Sequence, residues 1–324
     1  MSREGSIVSL LASATEILFG LDLGPRVVAV SHQCDFPAAV GELPRVTGSR
    51  IDSRRDSQNI DDQVHSWAAR AEPLYTLDEQ KIRDLRPRLI VTQAQCDVCA
   101  VRFQDVERMV NSAPELDRTE ILALQPTRLA EIFSDILRVG SATSSGRQAE
   151  RWLALLEQRL RIVRQRIAAS VRRPRTLCVE WIEPLMLAAN WTPDLIAAAG
   201  GENGLTSAGQ ASAYGDWQEV VAFDPEVLLI APCGLDLRRT LEEAQRLAEL
   251  PGWTSLQAVQ RGQVFAIDGN AYLHRSGPRV VETIELLSHL LHPLDCPAPI
   301  ASSTGQPIWQ RLEAQGGADR GSSL

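Results

Sequence analysis

Residues 146–171 read GRQAERWLALLEQRLRIVRQRIAASV. Trp152, Leu155, Leu156, Leu160, Val163 and Ile167 recur at three- and four-residue steps, the apolar stripe of one long amphipathic helix. No glycine or proline interrupts it after Gly146, so the helix is stiff. At the rise of an α-helix it extends about 35–40 Å. A stripe of that length needs apolar partners along its whole course, and a lobe at each end would supply them.

Both flanks read as such lobes. Before the helix, SIVSL (6–10), RVVAVS (26–31) and RLIVTQ (88–93) are apolar strand runs. Between them lie the helical patterns SATEILFGLDLG (13–24), with Ser13 as N-cap, and DEQKIRDLRP (78–87), stopped by Pro87. After the helix the alternation restarts with strands TLCVEWI (176–182), EVLLIAP (226–232) and QVFAID (263–268). Helical patterns DLIAAAGG (194–201), LEEAQRLAEL (241–250) and GPRVVETIELLSHLLHP (277–293) separate and close them. DLRPRLIV (84–91) and AFDPEVLLI (222–230) are matching points of the two halves.

A βαβα rhythm repeated on both sides predicts an α/β protein with two doubly wound parallel-sheet lobes. The expected division is a first lobe over 1–143, a connecting helix over 144–171, a second lobe over 172–293 and a flexible tail over 294–324. The tail expectation rests on its Gly, Ser and Pro content.

Composition narrows the function classes. The 324 residues are 44% hydrophobic and 23% charged, and 33 basic against 41 acidic side chains leave a formal charge of −8. That balance disfavours nucleic acid or an anionic membrane as the main partner. No apolar run is long enough to span a membrane. The apolar stretch near the N-terminus is interrupted by Ser9, Ser13, Thr15 and Glu16, unlike a secretory h-region. The expectation is therefore a cytoplasmic protein, in which six cysteines are thiols or metal ligands rather than a disulfide framework.

In doubly wound sheets, ligands meet the loops at the carboxyl ends of strands. Those ends hold Ser13, Ala14 and Thr15, then His32 and Cys34, then Gln93, Cys96 and Cys99. In the second half they hold Glu180 and Trp181, Cys233, and Tyr272, His274 and Arg275. His32, Cys34, Cys96 and Cys99 form an acceptable tetrahedral zinc set. The same side chains also read as a thiol wall beside a pocket or as a redox pair. Trp181, Trp191, Trp217 and Tyr272 offer flat surfaces to a large planar ligand. Arg275, with GPR at 277–279, could face a ligand phosphate or carboxylate or equally cap structure. No P-loop, zinc-protease or Ser/His/Asp order is present, so the expectation is a non-catalytic protein.

SLLASATEILFGLDLGPRVVAVSHQCDFP, DLRPRLIVTQ, AAAGGENGL and DWQEVVAFDPEVLLI together resemble the class III substrate-binding proteins, and are most similar to the cobalamin-binding branch. The resemblance runs over residues 6–293. It implies two α/β lobes joined by one rigid helix, with cobalamin, a ferric siderophore or haem held between them for an ABC importer. By the same resemblance Tyr272 occupies a cobalamin-contacting aromatic position. The chain departs from the family pattern where surface glutamates dock on the permease. Counting back from Pro87 and Pro225 gives Gln80 and Gln218, with Glu79 and Glu219 one residue away. The reading that follows is a cytoplasmic binding protein for a cobalamin-like corrinoid or other metal chelate. The alternatives are a zinc- or thiol-dependent protein built on His32, Cys34, Cys96 and Cys99, and the substrate-binding component of an importer.

Overall fold

A computed structural model describes residues 5–95, 100–168, 170, 172–297 and 307–313. The chain divides into two compact units. The first comprises 1–161 and 275–281, the second 162–274 and 282–324. Where a boundary was expected on either side of the long helix, the division falls inside it. A short segment near residue 280 also belongs to the first unit.

In the first unit, β1 (Ile7–Ser9), α1 (Ala12–Gly20), β2 (Val27–Val30), β3 (Thr47–Ser49), α2 (Ser57–Ala69), β4 (Tyr75–Leu77), α3 (Glu79–Leu85), β5 (Leu89–Gln93), α4 (Phe103–Ser112), β6 (Glu120–Leu124) and α5 (Leu129–Ala142) follow one another. Four strands form a parallel sheet in the order β2-β1-β5-β6, and β3 pairs antiparallel with β4. Every residue of β5 is buried, as a central strand covered on both faces requires. Val8, Ala29 and Ile90 of the sheet pack with Ile82 of α3 and Val106 and Met109 of α4. Burying side chains of this size stabilises the unit by about 1.5–3 kcal/mol each.

Helix α6 (Gly146–Ile167) follows. Leu156, Leu160, Val163 and Ile167 of the predicted stripe are buried, and Ala149 joins them. Leu155, read as part of that stripe, is instead 60% exposed. It lies one residue from Leu156, which turns it about 100° away. Trp152 packs against α1, and a Cβ on Gly20 would run into its ring. Only glycine allows that approach.

The second unit contains β7 (Arg175–Trp181), β8 (Met186–Leu187), α7 (Thr192–Ala198), β9 (Glu202–Asn203), β10 (Ala213–Tyr214), α8 (Trp217–Phe223), β11 (Val227–Ile230), α9 (Leu237–Ala248), α10 (Gln257–Gln260), β12 (Val264–Ile267), α11 (Val280–Leu291) and β13 (Trp309–Arg311). The sheet order is β10-β8-β7-β11-β12-β13, with β9 beside β7. β7, β11 and β12 are parallel, while β8, β10 and β13 join antiparallel. β13 lies within the expected flexible tail. It adds an edge strand to β12, Leu312 packs on the core, and Arg311 lies over the Phe265 ring.

The two matching sequence points become matching turns. Asp78 caps α3 by accepting from Lys81 N, and Asp216 caps α8 by accepting from Gln218 N. Each helix ends on a left-handed residue, Arg86 at φ 48° and Asp224 at φ 49°. Pro87 and Pro225 follow, two residues before the next strands, because proline cannot continue a helix.

Candidate functional site

Each unit collects polar side chains at the carboxyl ends of its parallel strands. In the first, β1 leads directly into α1. Ser13 is not the N-cap: the helix begins at Ala12, with Leu11 as the cap residue and no side-chain cap bond. Ser13, Ala14 and Thr15 are all buried. Thr15 Oγ1 lies 2.8 Å from Ser9 Oγ and 3.1 Å from Cys34 Sγ. Burial pushes the Cys34 thiol up, against the pull of the Thr15 and Ser31 hydrogen bonds and of Arg275 and Arg45. Cys34 is therefore a protonated thiol at neutral pH.

His32, on the same loop, places Nδ1 2.6 Å from Thr47 Oγ1. Burial, and then the charge of Arg45, holds its imidazole below the usual histidine range. The ring is neutral at pH 7 and tilts against Tyr75 at 5.4 Å. Gln93 ends β5 buried, with its Oε1 accepting from Gln95 N at 2.7 Å. Cys96 and Cys99 lie outside the described residues. Among the described residues no group of three His, Cys, Asp or Glu side chains could hold a metal ion, so a zinc centre gains no support.

A buried charged cluster joins α1 to the segment 275–281. Glu16, whose side chain is 1% exposed, accepts from Arg279 Nε at 3.0 Å and Nη2 at 2.6 Å, and from Arg275 Nη1 at 3.1 Å. Arg275 also donates to Asp35 Oδ1 at 2.5 Å and Oδ2 at 3.3 Å. Burial opposes the Arg275 charge, but its bonds to Asp35 and the charge of Glu16 outweigh that and hold it above the usual arginine range. The Arg279 guanidinium lies 4.5 Å from the centre of the Phe36 ring. Two guanidinium and two carboxylate groups thus neutralise one another. Arg275, expected to face a ligand anion, already binds two carboxylates of its own chain.

In the second unit Glu180 stands near the end of β7. Its Oε2 accepts from Ser212 Oγ, and its Oε1 lies 3.8 Å from His274 Nδ1. His274 Nε2 is 2.5 Å from the Ala231 carbonyl oxygen, which requires a proton on Nε2. Ser212 Oγ in turn accepts from Ala189 N at 3.0 Å. The exposed Cys233 donates its backbone N–H to the Glu180 carbonyl at 3.0 Å. Beside it, a Cβ on Gly269 would collide with the Pro232 carbonyl, so only glycine lets these two loops meet.

The aromatic candidates separate. Trp181 is half-buried at the strand end. Trp191 is buried, and its Nε1 donates to the Leu273 carbonyl at 2.8 Å. Trp217 stacks on Trp253 at 6.1 Å and donates to the Pro251 carbonyl. Tyr272 is 3% exposed. Trp191, Trp217 and Tyr272 therefore pack within the unit, while Tyr214 is the exposed aromatic there. Sequence reasoning passed over Glu16 and Ser212 as site members. A glutamate inside the apolar run of α1 was the available signal for the first.

A family model described as periplasmic binding protein matches residues 7–271. The chain belongs to the periplasmic binding protein family. Its relatives include a substrate-binding lipoprotein of an ABC transporter from Bacillus subtilis, YvrC. That protein is 19% identical over 89% of this chain and 80% of its own length. The vitamin B12-binding protein of Yersinia pestis is 22% identical over 69% of each chain. Among solved structures, the periplasmic haem-binding protein RhuT from Roseiflexus superposes with a TM-score of 0.66 at 22% identity, over 89% of this chain and 98% of that one. The vitamin B12-binding protein BtuF of Vibrio cholerae gives 0.63 at 22%, over 88% and 96%. These likenesses establish the fold. Family membership makes the chain a substrate-binding protein and not an enzyme.

Proposed function

We propose that this substrate-binding protein serves an ABC importer and carries a metal-chelate macrocycle of the cobalamin or haem kind. The observation that carries the reading is the family match over residues 7–271, with relatives whose own names include an ABC transporter component and vitamin B12 binders. The strand-end clusters support it. Each unit presents hydrogen-bonding groups fixed by their neighbours, which is how a binding cleft orients a ligand with few polar contacts. Importer service replaces a cytoplasmic binding protein as the leading reading.

Gln80 and Gln218 favour a second reading, a binding protein that does not dock on a permease and resides in the cytoplasm. Both sit in the first turns of α3 and α8, where an amide cannot make a charge-assisted pair with arginine. The neighbouring Glu79 is engaged by Arg83 at 2.9 Å, whereas Glu219 is exposed.

Titration of the purified full chain with cyanocobalamin and with haemin, followed by absorption and calorimetry, tests the ligand. Stoichiometric binding of one of them is expected, and binding of neither overturns the ligand class. Cross-linking in the source cells separates the two readings. Capture of a permease supports importer service, and a soluble intracellular protein with no permease adduct overturns it.

A further inference from the structure

The outward face of α6 carries a feature that ligand binding does not use. Arg151, Leu155, Arg159, Ile162 and Arg166 follow one another at steps of four, four, three and four residues. Residues so spaced share one face of a helix. The buried stripe of Leu156, Leu160, Val163 and Ile167 runs one residue later along the same helix, so the two stripes point about 100° apart.

Leu155 is 60% exposed and Ile162 41% exposed, one heptad apart. Arg151 and Arg166 beside them are exposed, and Arg159 is half-buried. The two glutamates of the helix, Glu150 and Glu157, fall on the other flank. Of the seven arginines between Gln158 and Arg175, Arg159 and Arg166 lie on this face, Arg161 and Arg164 on the glutamate flank, and Arg172 and Arg175 pair with Glu226 and Asp224. Complementing the helix dipole accounts for cations in the last turn. It does not account for Arg151, nor for a leucine and an isoleucine left in water between arginines.

We propose that this face of α6 is a docking surface for an anionic phospholipid bilayer. Exposed aliphatic side chains flanked by arginines on a helix face suit the headgroup boundary, where the apolar atoms leave water and guanidinium groups meet phosphates. The segregation of charge lets a net acidic protein approach a negative surface in one orientation.

Flotation of the full chain with vesicles tests this. Vesicles of phosphatidylcholine alone are compared with equimolar phosphatidylcholine and phosphatidylglycerol. Binding to the anionic vesicles only is expected. It is expected to weaken when salt rises from about 0.1 M to about 1 M, which shortens the screening length from about 10 Å to about 3 Å. The triple substitution Arg151→Gln, Arg159→Gln, Arg166→Gln lowers vesicle affinity about 100-fold. The double substitution Leu155→Ser, Ile162→Ser also lowers it, at unchanged charge. A control with Arg108→Gln, Arg118→Gln and Arg238→Gln, exposed arginines on other elements, retains binding. Thermal unfolding confirms that all variants are folded. Equal flotation with neutral vesicles, equal losses in the control, or capture of nucleic acid or an acidic protein in place of vesicles would overturn the proposal.

Discussion

The strand ends of the two units solve the same problem with different chemistry. In the first, Glu16, Asp35, Arg275 and Arg279 form a closed set of ion pairs, with Glu16 shielded from water. In the second, Glu180 is held by a serine hydroxyl and faces an imidazole at 3.8 Å. The first arrangement consumes its own charges and leaves none for a ligand. The second binds its carboxylate mainly through a neutral donor, and an exposed thiol, Cys233, stands beside it. One framework, with αL turns and prolines in equivalent places, thus carries an ion-pair clamp in one unit and a carboxylate held by a neutral donor in the other.

Removing the hub of the clamp is the strongest way to break the comparison. Glu16→Ala removes the buried carboxylate that accepts from both Arg279 and Arg275. Loss of one member of a buried ion-pair set costs about 3–5 kcal/mol, read as a lower urea midpoint. Asp35→Asn should cost far less, because the Asp35 side chain is 49% exposed and water replaces it. Equal losses for the two would show that the set does not act as a buried clamp.

Ser212→Ala tests the second unit. It removes the donor to Glu180 and the acceptor for Ala189 N. An unsatisfied group of this kind costs about 1–3 kcal/mol. A loss as large as that of Glu16→Ala would erase the distinction between the clamp and the carboxylate held by a neutral donor.

The shared framework is probed by Asp78→Ala and Asp216→Ala. Each cap accepts one backbone N–H, from Lys81 at 3.0 Å and from Gln218 at 2.8 Å. Each loss should cost about 1 kcal/mol. Matching values by chemical denaturation would support equivalent turns, and a twofold or greater difference would argue that one is held by tertiary contacts.

This framework was legible because its signals are local. Doubly apolar runs such as LIVTQ, the aspartate before each short helix and the proline after it all act within a few residues. The clamp was not, since Arg279 and Glu16 are 263 positions apart and no local pattern links them. Arg275 and the GPR at 277–279 were therefore read as ligand-facing or capping, when they fold back on α1. Strand β13 escaped for a related reason. Three residues in a Gly- and Pro-rich stretch acquire strand character only from their partner β12. Trp191, Trp217 and Tyr272 were read as flat surfaces for a ligand, but sequence does not say which way a ring points, and all three pack within the second unit. Leu155 is the converse case, because a helical stripe is read one residue too wide as easily as correctly.

The smallest expected effect is the pH dependence contributed by His32. Its folded-state pKa is depressed, first by burial and then by Arg45, while the unfolded chain titrates near 6.5. Above that value both states hold a neutral ring and the histidine contributes no slope. As the pH falls below it, the unfolded state takes up a proton that the folded state refuses, so stability declines until the pH passes the folded pKa. His32→Gln should flatten the stability profile of the first unit between neutral pH and the lower limit of that window. Nothing comparable is expected from Cys34, whose raised pKa keeps it protonated in both states throughout that window. An NMR titration that placed His32 at or above 6.5 would mean that Thr47 and Ser31 solvate the imidazolium well. The contrast between the two strand ends would then rest on Glu16 alone.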